Sequence, residues 1–154
     1  MKKIIAMFCC FVAVVALVFL SFRVSEKRGL IYGDFLAQQV SSYKSGHLEY
    51  IDFALINSEP WDRVFVFTPY TPPEVVNSVV CGIWPGAWLT NIQHSDYATL
   101  LLFVKDCRVV QHVMFRNRFA IFSSVYREEG YAPGEAKFLL RENNYAVWLF
   151  GNDE

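Results

Sequence analysis

The chain has 154 residues, a length typical of one domain, and its 14 basic and 15 acidic side chains give a formal net charge of −1. This balance excludes a nucleic-acid binder that works through a broadly basic surface. With 54% hydrophobic and 19% charged residues, the chain is not intrinsically disordered either, so we expect a folded domain with its own core.

The first predicted element is an apolar helix over residues 4–22, which follows a short basic tail over residues 1–3. The stretch carries no charge, and its 19 residues span roughly 28 Å as a helix, about the thickness of a bilayer's hydrocarbon core. Small residues suited to signal-peptidase cleavage occur only inside the run, and its two cysteines come too early for lipid attachment. We therefore expect an uncleaved signal-anchor helix that crosses the membrane once.

The charges around this helix bear on its orientation. Lys2 and Lys3 favour a cytoplasmic amino terminus, whereas the juxtamembrane neck over residues 23–33 carries three basic residues that weaken the signal. A short basic tail followed at once by an apolar run is typical of an export signal. We expect a protein of the inner (cytoplasmic) membrane whose domain, residues 34–154, faces the periplasm or the outside.

Three elements are predicted in the first half of this domain. Residues 35–45 are expected to form a helix. Residues 62–68 are mainly β-branched and aromatic and lie between prolines, which predicts a strand. Thr71 and Glu74 then have the spacing of a capping box, so a second helix is expected to start there and to end at Gly82.

The second half of the domain is predicted to consist of strands. Residues 97–104 are apolar on both faces, which predicts a central strand, and residues 108–115 return antiparallel after a short turn. Residues 136–141 and 145–150 flank an Asn-Asn turn and predict a second hairpin. The expected fold class is α+β, with two helices packed on a mainly antiparallel sheet of about five strands.

Sequence motifs for catalysis are missing. There is no zinc-protease motif, nucleophile elbow, phosphate-binding glycine loop or nicotinamide fingerprint, and no cofactor is expected. Cys81, His94, Cys107 and His112 match no metal-ligand spacing, so we expect no metal. We expect a protein that is not an enzyme. The alternative is an enzyme whose site is assembled from dispersed residues: Asp62, Tyr70, His94 and His112.

Cys81 and Cys107 fall at the ends of predicted elements, one after the second helix and one at a hairpin turn. In an oxidising envelope compartment, two such cysteines in a small domain are disulfide candidates. The alternative is a pair of buried free thiols.

The most distinctive segment begins Trp-Asp-Arg-Val at residue 61 and continues to Pro-Tyr-Thr at residues 69–71. This motif resembles one in a group of small uncharacterised bacterial proteins with an N-terminal membrane or lipid anchor. The resemblance implies an extracytoplasmic location and carries no activity, and this chain departs from the pattern at Cys107 and lacks a lipobox. The side chains of the motif suggest a structural role. They are Trp61, Asp62, Pro69, Tyr70, Thr71 and Glu74.

Two candidate partner surfaces follow from the pattern. On the strand from Arg108, alternation places residues 108, 110, 112, 114 and 116 on one face, with Arg118 just beyond. The basic side chains and His112 of this face suit an acidic protein or anionic headgroups, unless the face is only solvated. Trp84 and Trp88 flank a Pro-Gly turn and form either an aromatic binding tip or a lid on the core.

These observations favour a non-catalytic, single-pass membrane-anchored protein of the bacterial cell envelope. Its exported domain is expected to bind a protein partner that the sequence does not identify, as a toxin-immunity protein or an envelope accessory protein does. A structural protein that contacts lipid headgroups through the basic neck is the alternative.

Overall fold

The computed structural model describes residues 11–20, 38, 50–55, 59–117, 121–122, 125–142 and 147–151. These residues form an α+β fold whose strands are mainly antiparallel, in agreement with the predicted class. The strands are β1 (Tyr50–Asp52), β2 (Arg63–Phe67), β3 (Ala98–Lys105), β4 (Arg108–Arg116), β5 (Ile121–Phe122), β6 (Lys137–Glu142) and β7 (Val147–Gly151). The helices are α1 (residues 11–20), α2 (Pro73–Asn77) and α3 (Gly86–Leu89), with 3-10 turns at Phe53–Leu55 and Ile92–His94.

The strands form two sheets, where the sequence predicts one sheet of about five strands. One sheet has the order β2-β3-β4, and the other has the order β1-β6-β7-β5. Every pairing is antiparallel except β5 with β7. An isolated bridge joins β2 to Tyr131, in the loop before β6. The separate pairing of β1 with β6 is not visible in the local pattern, because β1 is only three residues long.

The central position of β3 is confirmed. It pairs with β2 on one side and with β4 on the other. Leu101 and Phe103 pack into the core between the two sheets, whereas Leu100 and Leu102 face α2 and α3, and all four side chains are fully buried. β3 is apolar on both faces because its sheet is the middle of three layers. The helices lie on one side of this sheet and the second sheet lies on the other.

Each of the two cores has its own set of side chains. The core between the sheets contains Ile51, Phe53, Trp61, Val64, Val66, Leu101, Phe103, Val113, Phe115, Phe122, Val125, Tyr131, Ala136, Phe138 and Leu140. The core under the helices contains Phe65, Phe67, Val76, Ala87, Ile92, Leu100, Leu102 and Val104. The core under the helices, or helical core, is the smaller of the two.

The predicted capping box does not form. Pro72 is the N-cap with extended backbone angles, and α2 begins at Pro73. A residue that precedes proline is disfavoured in the helical region, so Pro73 keeps Pro72 out of the helix and shifts its start by one residue. Thr71 then lies outside the helix and donates its hydroxyl to the Thr68 carbonyl at 2.7 Å. The helix ends at Asn77, earlier than the predicted Gly82.

The N-terminal segment is described only in part. The described turns of α1 carry exposed apolar side chains such as Phe11, Phe19 and Leu20. Among the described residues, no helix combines the length and the apolar character needed to cross a membrane. The predicted neck, most of the helix over 35–45 and the turn between β6 and β7 lie outside the described residues.

A group of ion pairs joins β2 to the loop before β6. Arg63 and Arg127 lie 3.7 and 3.5 Å from the same Glu135 carboxylate oxygen, and Arg127 also pairs with Glu129 at 2.7 Å. A hydrogen bond from its own backbone, followed by one from Arg127, holds the pKa of Glu129 below its usual value. These groups are largely exposed, so we assign them a positioning role for this loop and no large share of stability.

Candidate functional site

The helical layer exposes several large hydrophobic side chains, which together we call the apolar helical surface. Ile83 is 78% exposed, Leu89 59% and Trp88 45%. Tyr70 and Val75 are exposed as well, at 63% and 37%. Soluble domains rarely leave so many large apolar groups open on one layer, unless the layer contacts a partner or a membrane.

The sequence of α3 explains why its large side chains point outward. The buried positions of this one-turn helix are Gly86, which the Trp84 ring covers, and Ala87, which packs into the helical core. The next two residues, Trp88 and Leu89, then face solvent. Trp88 is therefore part of an open surface, as one of the two sequence interpretations proposes.

Trp84 takes the other role, that of a lid. Its ring is half-buried against the helical core and meets the His112 ring edge-to-face, with the centroids 5.2 Å apart. Its amide donates to the Asn77 side-chain oxygen at 2.7 Å, which fixes the loop after α2. The two tryptophans thus differ in burial although both flank the same turn.

We expect Gly86→Ala to displace the Trp84 lid. A Cβ built at Gly86 overlaps the Trp84 ring, so the ring must shift and its packing against His112 must change. Overpacking of this kind costs about 1–3 kcal/mol. Denaturant unfolding and the near-ultraviolet circular dichroism of the full-length protein measure both effects. An unchanged stability together with an unchanged aromatic signal would contradict this packing.

Tyr70 is held in a rare backbone conformation at the edge of the surface. Its φ of 66° lies in the left-handed region, which is unusual for a bulky residue. Its amide donates to the Ile92 carbonyl at 3.1 Å, so the 3-10 turn maintains the conformation. Strained residues of this kind cluster at functional sites, and here the strain presents an aromatic ring to solvent.

An open cleft lies at the other end of the helical layer, next to the hairpin between β3 and β4. Its volume is about 160 Å³. A disulfide joins Cys81 to Cys107 at its edge, with the Cα atoms 5.0 Å apart, and the Cys81 amide donates to the Cys107 carbonyl at 3.0 Å. The lining residues are Val80, Cys81, Gly82, Ile83, Trp84, Cys107, Arg108 and Val109. Arg108 is the one charged residue among them.

The predicted alternation along β4 holds for His112 and Met114, which lie on the same side, but it is interrupted at Val110. The register between β3 and β4 shifts between Phe103 and Val104, which leaves Val110 as an extra, bulged residue. Val110 packs toward the core between the sheets, whereas His112 and Met114 lie on the helical side. His112 is only 5% exposed, so it does not contribute to an open basic face.

The arginines of the predicted basic face are also separated. Arg108 and Arg116 are both exposed but lie at opposite ends of β4, about 26 Å apart at the usual rise per residue. Arg118 lies outside the described residues. A single patch that includes Arg108, His112 and Arg116 is therefore not formed, because Trp84 covers His112 in the middle of the strand.

The Trp-Asp motif has structural contacts in the described residues. Trp61 is buried and meets Phe103 edge-to-face at 5.3 Å between ring centroids. Asp62 accepts a hydrogen bond from the Asp106 amide at 2.8 Å, and its own amide donates to the Val104 carbonyl at 2.8 Å. The motif thus ties β2 to the hairpin turn that carries Cys107. Pro69 leads into the strained Tyr70, and Glu74 lies exposed in the first turn of α2.

We expect Asp62→Ala to lower the free energy of unfolding by about 1 kcal/mol, because the turn amide loses its acceptor at an exposed site. Asp62→Asn keeps a side-chain oxygen at the same place and should lose clearly less. Urea unfolding of the two full-length variants makes the comparison. Equal losses would show that the hydrogen bond to Asp106 is not the source of the effect.

The residues of the enzyme alternative do not come together. Asp62 and Tyr70 lie beyond opposite ends of β2, and His112 is buried under Trp84. His94 is exposed in the 3-10 turn near Tyr70. Within the described part of the chain, no group of three or more His, Cys, Asp or Glu side chains is arranged to hold a metal ion.

Three residues of the apolar helical surface are absent from the sequence-based site: Val75, Ile83 and Leu89. In α2 the buried residues are Pro73 and Val76, whereas Val75 is 37% exposed. The signal that was available is the Gly-Ala pair in α3, since small inward residues imply that the large ones next to them face outward.

Comparisons of the chain with models of known families, with curated proteins and with solved structures give no match.

Proposed function

We propose that this chain is a non-catalytic, single-pass membrane-anchored protein of the cell envelope, whose exported domain binds a protein partner. The uncharged stretch over residues 4–22 supports the anchor, because it has the length of a bilayer-spanning helix. The exposed apolar side chains of α1 also favour an apolar environment around that segment. The domain would then face the periplasm or the outside.

The observation that carries the binding proposal is the apolar helical surface. Its aliphatic members Ile83 and Leu89 are 78% and 59% exposed, and Trp88 is of a residue type enriched among binding hot spots. A partner that covers these side chains removes apolar area from water, and the favourable transfer free energy is about 25 cal/mol per Å². The strained Tyr70 adds a second aromatic ring at the edge of the same layer.

Two roles fit this arrangement. A toxin-immunity protein needs a compact anchored domain where an exported effector arrives, and an envelope accessory protein needs a stable surface for one subunit of an assembly. The neighbouring genes distinguish them, because an adjacent toxin gene favours immunity.

The proposal is tested with alanine variants of the full-length protein. We expect Trp88→Ala and Leu89→Ala each to weaken the binding of a single crosslinked partner at least tenfold, as hot-spot substitutions do. Tyr126→Ala and Leu55→Ala are matched controls, since both side chains are exposed outside the helical layer, at 63% and 77%. Recovery of no discrete partner, or an equal loss in the controls, would overturn the proposal.

The lipid alternative has its own outcome. Salt-dependent binding of the domain to anionic liposomes, unchanged in Trp88→Ala, would favour headgroup contact through basic residues. Capture of a protein that is lost in Trp88→Ala, while liposome binding does not depend on lipid charge, favours the protein partner.

A further inference from the structure

We propose that the cleft beside the disulfide binds the C-terminal residue of the partner, with an apolar side chain in the cleft and its carboxylate at Arg108. This inference rests on the proposed function, since it names the part of the partner that the helical layer recognises. The cleft is continuous with the apolar helical surface through Ile83, which belongs to both.

The size and lining of the cleft fit one apolar side chain. A cavity of about 150 Å³ accommodates a benzene molecule, and this cleft measures about 160 Å³. Val80, Ile83, Trp84 and Val109 supply aliphatic and aromatic walls. The disulfide and the hydrogen bond from Cys81 to Cys107 hold the loop against the hairpin, so the cleft exists before a ligand arrives.

The charge at the cleft selects an anionic neighbour for that side chain. Arg108 is exposed and forms no ion pair within the described residues. Lys105 lies opposite it across the hairpin, and the carboxylates of Asp62 and Asp106 lie at the same turn, where Asp62 accepts a hydrogen bond from the Asp106 amide. Arg108 is the charged residue that lines the cleft itself, so we place the carboxylate of the ligand there.

A backbone donor is also available there. The Ile83 amide donates to no acceptor among the described residues. A carboxylate needs more than one donor, and an arginine together with a backbone amide is a common pair. A free C-terminus with an apolar last residue supplies both the side chain and the carboxylate on one unit.

The experiment uses two fluorescein-labelled pentapeptides that end in phenylalanine, one with a free carboxylate and one with an amide. Fluorescence anisotropy measures their binding to the full-length protein in detergent, with detergent alone subtracted. We expect the acid to bind about tenfold more tightly, as the loss of a charge-assisted hydrogen bond implies. Arg108→Gln should reduce this preference to about one.

Arg116→Gln is the matched control, because it removes the same charge from the far end of β4. It should keep the tenfold preference. Equal binding of the two peptides, no binding of either, or a preference that survives in Arg108→Gln would overturn the inference. If the peptides fail while partner capture still depends on Trp88, the cleft assignment is wrong and the proposed function stands.

Discussion

Phe103→Ala is expected to lower the free energy of unfolding by about 3–5 kcal/mol, the usual cost of truncating a buried phenylalanine. Phe103 is fully buried in the central strand, and its ring meets Trp61 edge-to-face. The substitution removes apolar contact and leaves a cavity between the two sheets. Such a loss is a large fraction of the stability of a small domain.

The measurement is urea unfolding of the full-length protein, followed by tryptophan fluorescence. Leu89→Ala is the control for size, because it removes a large side chain that is 59% exposed and should change stability by less than about 0.5 kcal/mol. A loss below about 1 kcal/mol for Phe103→Ala would contradict its burial in the core between the two sheets.

The second large effect is expected at the disulfide. Cys81 and Cys107 are 26 residues apart, and closing a loop of that length stabilises a protein by about 3–4 kcal/mol in the chain-entropy model. Cys81→Ser and Cys107→Ser should each show this loss, and so should the unchanged protein under reducing conditions. The double variant should be no less stable than either single one, because both remove the same bond.

Cys9→Ser and Cys10→Ser serve as controls, since these cysteines lie in the apolar N-terminal stretch. They should leave the unfolding of the domain unchanged. Mass mapping of the protein extracted without reductant gives an independent result. Free, alkylatable thiols at both Cys81 and Cys107 would show that the bond does not form in the cell.

The strands that local pattern specifies were predictable. The continuous apolar run of β3 indicated a central strand, and the structure confirms it with buried side chains on both faces. The hairpin to β4 was also predictable, although its turn is unusual. Asp106 and Cys107 both have positive φ, at 47° and 61°, where asparagine and glycine are the common residues.

Features that depend on neighbouring residues or distant segments were not predictable. A single bulged residue, Val110, interrupts the alternation of β4, and the burial of His112 depends on the Trp84 ring that covers it. A second proline after Pro72 prevents the capping box, although the spacing of Thr71 and Glu74 favours one. The pairing of β1 with β6 joins segments that are far apart in the chain, so local pattern does not reveal it.

The candidate site was predictable only in part, because the burial of its residues depends on their neighbours. Trp84 and Trp88 were named because tryptophans around a turn are conspicuous in any sequence. Their different roles depend on Gly86, which the Trp84 ring covers, and on the inward position of Ala87. Ile83 and Leu89 are exposed because few residues of the short helical layer contact the sheet.

The proposed contact between the apolar helical surface and a protein partner can be tested in living cells. The most direct measurement places a photoreactive amino acid at position 88 of the full-length protein, and at position 126 as the control, and irradiates living cells. We predict one discrete crosslinked protein from position 88 and none from position 126. No crosslink from position 88, or the same products from both positions, would contradict the account.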